Sequence, residues 1–289
     1  MSRLADPKQA RAFRFLETAY EPATGDATLI YAFDDGPPLA ETLNFPYTPW
    51  PVDPSRQQAF ERALHLLHWI AGVSYWKAGV PARMSSEAAP LDRSAADFLR
   101  TLYTDGMAEF AHVNGLDLRD RLDLEVTAPA PPAPVTLDLP ERALVAVGGG
   151  KDSLVALERL RDAGVEVQPF CVGASPLIED TVRAAGLPLL RIGRRLSPLL
   201  AELNTAGAYN GHVPVTAINS AIGLCAALLY GYRWVVFANE RSAEAATRRT
   251  DEGREINHQY SKTLAFERAL RGQVAARISS GLQYFSLLR

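Results

Sequence analysis

An apolar run, Ala143–Val147, stops at three consecutive glycines, Gly148, Gly149 and Gly150. Lys151, Asp152 and Ser153 follow, and a new apolar pattern begins at once. The first run is short and valine-rich, as a buried strand is. After it, Leu154, Leu157 and Leu160 recur at helical spacing and Gly164 stands where a C′ glycine belongs. Asp152 is expected to be the N-cap. The reading is therefore strand, glycine turn, helix N-terminus. Glycines let a backbone turn tightly and bring its N–H groups close to a ligand. A helix start adds unpaired donors and partial positive charge, and Lys151 adds a full charge. A phosphate chain suits such a loop, although a tight strand-to-helix connection also uses glycine. The lysine favours phosphate.

Two familiar phosphate loops fail. A Walker A loop needs glycine where Val145 stands and Ser or Thr where Asp152 stands; the dinucleotide fingerprint G-x-G-x-x-G needs glycine at Ser153. The run Gly148–Ser153 instead resembles the S-G-G-x-D-S loop of the N-type ATP pyrophosphatases, with Gly148 replacing the usual first serine. That resemblance implies cleavage of ATP between its α and β phosphates.

The chain has 289 residues, enough for about two domains. Net charge is −3, which argues against a bulk nucleic-acid binder. The two cysteines, Cys171 and Cys225, lie in apolar segments without a C-x-x-C pair, and are expected to be buried, inert thiols. The N-terminus lacks an apolar signal core, and the longest apolar run is too short to span a bilayer. A soluble, cytoplasmic protein with no membrane association is expected.

The stretch TAPAPPAPV, 127–135, reads as a stiff linker. It separates an N-terminal domain, 1–126, expected to be mixed α+β and to serve substrate recognition, from a second domain, 136–289. In the first, Asp53 and Pro54 start a helix carrying Phe60, Leu64, Leu67 and Ile70, and another runs from Asp92 to Asn114. His65 and His68 lie one turn apart, but no third ligand is near, so packing or surface roles are favoured over zinc. In the second, strands at Ala143–Val147, Val167–Val172, Leu189–Ile192 and Trp234–Ala238 alternate with helices. The last of these helices, TAINSAIGLCAALLYGY, is apolar nearly all round. This rhythm predicts α/β, a doubly wound parallel sheet. Such sheets bind ligands beyond the carboxyl ends of their strands, where the glycine loop, Gly173 and Asn239–Glu240 fall. His212 precedes the apolar helix. The segment 239–262 is charged and reads as a solvated loop or as a lid over the phosphates.

The ordered set SYWKAGVP, GGGKDS, GHVPVTAINS, ANERS and INHQYSK resembles the UDP-N-acetylmuramoyl-L-alanyl-L-glutamate epimerase family of peptidoglycan synthesis. The resemblance implies an ATP-pyrophosphatase-type fold and the cofactors ATP and Mg²⁺. It implies inversion of the terminal L-Glu of UDP-N-acetylmuramoyl-L-Ala-L-Glu to D-Glu through an adenylated carboxylate, with AMP and diphosphate released. A functional link to the muramyl ligase that adds L-Glu follows. The implied phosphate contacts are Gly148, Gly149, Gly150, Lys151 and Ser153. Val172 and Gly173 would hold adenosine, with Asn239 beside them, and Asp152 and Glu240 would serve magnesium. His212, His258, Tyr260 and Lys262 are the candidates for proton transfer or carboxylate binding, while Arg248, Arg249 and Arg254 are candidates for anionic groups of the substrate. Other pyrophosphatases of the amide- or nitrile-synthetase type, and a non-catalytic adenine-nucleotide module, share parts of this pattern. Family members continue past SSGLQYFSLLR, so this chain is expected to be shorter than they are.

Overall fold

The computed structural model describes residues 6–47, 50–51, 53–245, 248–249 and 255–289, with backbone only at 248, 249 and 255. In chain order the first half holds β1 (Ala12–Glu21), β2 (Asp26–Phe33), β3 (Leu39–Asn44), α1 (Pro54–Ala71), α2 (Val73–Trp76), β4 (Arg83–Ser86), α3 (Arg93–Thr104), α4 (Ala108–Val113) and β5 (Asp123–Leu124). The second holds β6 (Arg142–Ala146), α5 (Lys151–Asp162), β7 (Glu166–Val172), α6 (Pro176–Ala184), β8 (Leu190–Arg195), α7 (Pro198–Thr205), α8 (Val215–Tyr230), β9 (Trp234–Phe237), β10 (Arg248–Arg249), β11 (Glu255–Ile256), α9 (Leu264–Arg277) and β12 (Gln283–Ser286).

Ten of these strands form one sheet in the order β12-β9-β6-β7-β8-β3-β2-β1-β4-β5. The run from β12 to β8 is parallel throughout. Its alternating side chains explain the layers. Ala143 and Val145 of β6 pack with Leu157 and Leu160 of α5 and Val182 of α6, whereas Leu144 joins the opposite core with α1 and α8. Helix α8 is therefore apolar nearly all round: it lies between the sheet and α1. Where it crosses the sheet, a Cβ on Gly223 would approach Phe170 Cζ to 2.9 Å. No helix among the described residues is long and apolar enough to cross a membrane.

The two halves of the sheet meet where β3 pairs antiparallel with β8. At this seam Arg194 donates to the fully buried Glu41 at 2.7 and 3.3 Å, and to Ser74 Oγ at 3.0 Å. A buried charge is tolerated only when paired in this way. The segment 127–135 is pinned along its length. Thr127 N donates to Leu91 O at 2.8 Å, Arg62 reaches Ala133 O at 2.6 Å, and Val135 N donates to Ile278 O at 2.8 Å.

Local signals mostly fell where expected. Asp53 caps α1 through Ser55 N at 2.9 Å, with Pro54 first in the helix. The expected helix 92–114 is instead two, α3 and α4, broken around Gly106. A Cβ at Gly106 would lie 2.4 Å from Leu102 O, so the chain tightens there in a way no larger residue allows. His68 is buried among Phe15 and Tyr31. Its Nε2 donates to Ile30 O at 2.9 Å, and burial lowers its pKa to about 3, so it packs as a neutral ring.

Candidate active site

Strand β6 is the point from which the chain leaves in one direction to β7 and β8 and later returns on the other side as β9. The glycine loop follows β6, at this switch point, where neighbouring connections diverge and open a crevice. The crevice is a cleft of about 410 Å³. Gly148, Gly150, Asp152, Ser153 and Lys262 line it, as do Val172 at the end of β7 and Asn239 just after β9.

The three glycines differ in what requires them. Gly149 has φ +78°, the left-handed region that disfavours a side chain, and a Cβ there would touch Leu177 at 3.2 Å. Gly148 and Gly150 are not left-handed, and a Cβ on either would meet nothing within 4 Å. Neither conformation nor packing demands glycine at 148 or 150; a side chain there would fill the mouth of the cleft. Gly149→Ala is accordingly expected to destabilise the protein by about 1–2 kcal/mol, measured by urea unfolding, while Gly148→Ala leaves stability nearly unchanged.

Helix α5 begins two residues earlier than expected. Gly150 is the N-cap, without a side-chain bond, so Asp152 lies inside the first turn and does not cap. Its carboxylate is thereby free to face Lys151. Lys151 Nζ donates to Asp152 Oδ1 at 2.5 Å and to Glu240 Oε1 at 3.3 Å. The ammonium thus joins the loop after β6 to the loop after β9. The hydrogen bond to Lys151 holds the Asp152 carboxyl below its ordinary range, and Asp152 and Glu240 together raise the lysine. All three remain substantially exposed, so their contribution to folding is small and the charges stay accessible to a ligand.

The neighbours are more buried. Ser153 Oγ donates back to Gly150 O at 2.9 Å, fixing the loop. Asn239 Nδ2 donates to Ser286 Oγ at 3.0 Å, which anchors the β9 loop to β12. Gly173, with φ +81°, turns the chain after β7 and donates its N–H to Ile192 O at 2.9 Å, but it does not line the cleft.

His212 is exposed on the loop before α8, and His258 is half-buried on the segment after β11. Their rings lie edge to face, centroids 5.9 Å apart, so residues 46 positions apart in sequence are brought together. Tyr260 is turned toward the core edge: its ring sits 6.0 Å from Phe266, and burial pushes its pKa up to about 12. Arg254 lies outside the described residues, and the side chains of Arg248 and Arg249 do also. Both cysteines are buried as expected. Cys171 contributes to the cleft wall, where burial raises its thiol pKa and keeps it protonated.

Two polar cleft residues escaped the reading of the sequence. Thr216 and Asn219 line the cleft from the first turns of α8. They are polar residues three apart in an otherwise apolar helix, and that spacing puts both on one face; the exception to the apolar pattern was the available signal.

Residues 4–287 match the family described as the MurL N-terminal domain. The chain is 47% identical over 284 residues to the UDP-N-acetyl-alpha-D-muramoyl-L-alanyl-L-glutamate epimerase of Xanthomonas oryzae pv. oryzae, covering 98% of this chain and 63% of that protein. It is 43% identical over 282 residues to the protein of that name from Salinispora tropica, covering 96% of this chain and 61% of the relative. A Micromonospora protein of the same name is 42% identical over 282 residues, with 96% and 63% covered. The chain therefore spans somewhat less than two thirds of the length of these relatives. With nearly all of its residues matched, it belongs to the MurL N-terminal domain family.

Proposed function

We propose that this chain supplies the nucleotide-handling and proton-transfer residues of an ATP-dependent epimerase. The substrate would be UDP-N-acetylmuramoyl-L-Ala-L-Glu, whose terminal L-Glu becomes D-Glu, with AMP and diphosphate as the other products. The observation that carries the reading is the bare glycine loop at the switch point of a parallel sheet, with Lys151 spanning Asp152, which lines the cleft, and Glu240. The names of three long relatives support the substrate. The loop sequence and the five parallel strands support an ATP-pyrophosphatase type of fold.

The residues fit the groups this chemistry needs. Bare backbone at Gly148 and Gly150 leaves room for phosphate oxygens against the loop N–H groups and the start of α5. Mg²⁺ is commonly held by one or two protein carboxylates together with phosphate oxygens and water. Asp152 and Glu240, which share one ammonium partner, would serve it. Among the described residues no group of three or more metal-binding side chains converges, which suits an ion held largely by substrate phosphates. Lys151 and Ser153 would hold the phosphates, and Val172 and Asn239, which line the cleft, would border the adenosine, with Gly173 turning the chain beside Val172. Bound ATP would supply the adenylyl group that masks the glutamate carboxylate, so that a carbanion at the neighbouring Cα no longer sits beside a negative charge.

His212 and His258 then hold the proton chemistry. An imidazole carries one nitrogen that can take a proton and another that can deliver one. Two imidazoles on separate loops suit a reaction that removes a proton from one face of Cα and delivers one to the other. Lys262, exposed and lining the cleft, would grip a substrate carboxylate. Tyr260, packed toward the core with its pKa raised, would position its neighbours rather than act as base. The muramyl ligase that attaches L-Glu would supply the substrate, in the cytoplasm.

The test is product analysis with the UDP-muramoyl dipeptide, ATP and magnesium. AMP, diphosphate and D-Glu are the expected products. Free glutamate should be a poor substrate, because binding energy from the nucleotide and sugar is needed to drive the chemistry. ADP with orthophosphate as the main products would overturn the adenylation reading.

A further inference from the structure

Lys77 is almost completely buried, at 8% exposure, immediately after α2. Its Nζ donates to Asn210 Oδ1 and lies 3.4 Å from Gly211 O. Both acceptors are neutral, and both belong to the loop that carries His212. Burial lowers the pKa of this ammonium. An apolar side chain of similar length would fill the same volume without that desolvation cost. The charge is therefore a local expense, and what it achieves is attachment of a loop.

The attachment is reinforced from two further sides. Asn114, at the end of α4, donates to Asn210 O at 3.1 Å while also holding Phe110 O at 2.9 Å. Tyr209 N donates to Ala78 O at 3.1 Å. Asn210 Oδ1 also accepts from Gly211 N at 2.9 Å, so the carbonyl that Lys77 grips is the one that shapes the turn. Gly211 has φ +152°, and a Cβ there would crowd Phe110 at 3.3 Å. One residue later comes His212, edge to face with His258. Two residues after that, Pro214 is the N-cap of α8, whose first turns bring Thr216 and Asn219 to the cleft.

We infer that Lys77 is a positioning residue: through Asn210 and Gly211 it fixes the 209–214 loop so that His212 is held against His258. The inference rests on the epimerase reading for its catalytic consequence, but not for its geometry. It also gives the first half of the chain a task beyond packing, since Lys77, Ala78 and Asn114 all lie there.

The experiment compares the full-length protein with Lys77→Met, which keeps the volume and removes the donor. Two measurements are made. The first is the nuclear Overhauser effect between the imidazole protons of His212 and His258, present in the wild type and lost in Lys77→Met. The second is kinetic: ATP–pyrophosphate exchange should stay within about twofold, while deuterium uptake at Cα falls at least tenfold, since a displacement of about 1 Å at a reacting group can cost that much or more. Asn210→Ala should reproduce both changes. The double variant should be no slower than either single variant, because the two residues act as one unit. If Lys77→Met does not fold, Asn210→Ala carries both measurements alone. Persistence of the histidine contact overturns the inference whatever the protein catalyses, and so does an equal fall in both rates, which marks a merely structural role. Absence of ATP-dependent Cα exchange in the wild type overturns the epimerase reading instead, and the histidine contact still decides the role of Lys77.

Discussion

Lys151→Ala is expected to lower turnover about a hundredfold, the usual cost of removing one preorganised charge contact to a group that gains charge in the transition state. The unfolding midpoint should not move, because the Lys151 side chain is 82% exposed and its two ion pairs lie at the surface. Steady-state turnover and thermal unfolding, measured on the same preparation, check both halves. The variant also leaves Asp152 and Glu240 without the cation that bridges them. If they serve magnesium, the variant should need no more metal than the wild type, since a competing cation has gone. Asp152→Asn should need more. Unchanged ATP consumption in Lys151→Ala would remove the reason for reading Gly148–Ser153 as a phosphate loop.

His212→Asn and His258→Asn address the proton. Removing a general base typically costs about 10²–10⁴-fold. In deuterated water the wild type should place deuterium at Cα of the D-glutamyl product. The variant that has lost the base for the L face should stop exchanging Cα hydrogen from L substrate while still releasing pyrophosphate. With two bases, the other variant should exchange hydrogen in recovered substrate yet fail to invert it. The two variants distinguish the assignment of faces by which isomer carries label. If both variants exchange at the normal rate, neither histidine is the base. Lys262, which lines the cleft, then comes before Tyr260, whose packing against Phe266 and raised pKa make it the poorer candidate.

The parts of this site that could be read in advance are those fixed by neighbours in sequence. The glycine loop is one: a strand of valines, bare backbone and a helix start occupy consecutive residues, so their chemistry is local. Asp53 with Pro54 is another, because a cap acts within three residues. The error at Asp152 shows how narrow that range is. A shift of two residues in the helix start moved the carboxylate from capping backbone to pairing with Lys151. The break at Gly106 was missed for a related reason, since hydrophobic spacing runs on through both α3 and α4 and only the contact with Leu102 O interrupts it.

The sequence by itself determined the alternation of strand and helix after 136, the loop that would take phosphate, and the burial of both cysteines, because periodicity, backbone freedom and transfer from water act over short spans. Only the tertiary structure decided which distant residues meet. Glu41 and Arg194 are 153 positions apart and close one sheet across both halves of the chain. Lys151 reaches Glu240 across 89 positions, Lys77 reaches Asn210 across 133, and His212 is set against His258. None of these pairs leaves a local pattern: a lysine beside apolar residues looks the same whether it is solvated or grips a loop. Its meaning depends on strand order, which is fixed by the burial of whole faces against one another rather than by any one segment.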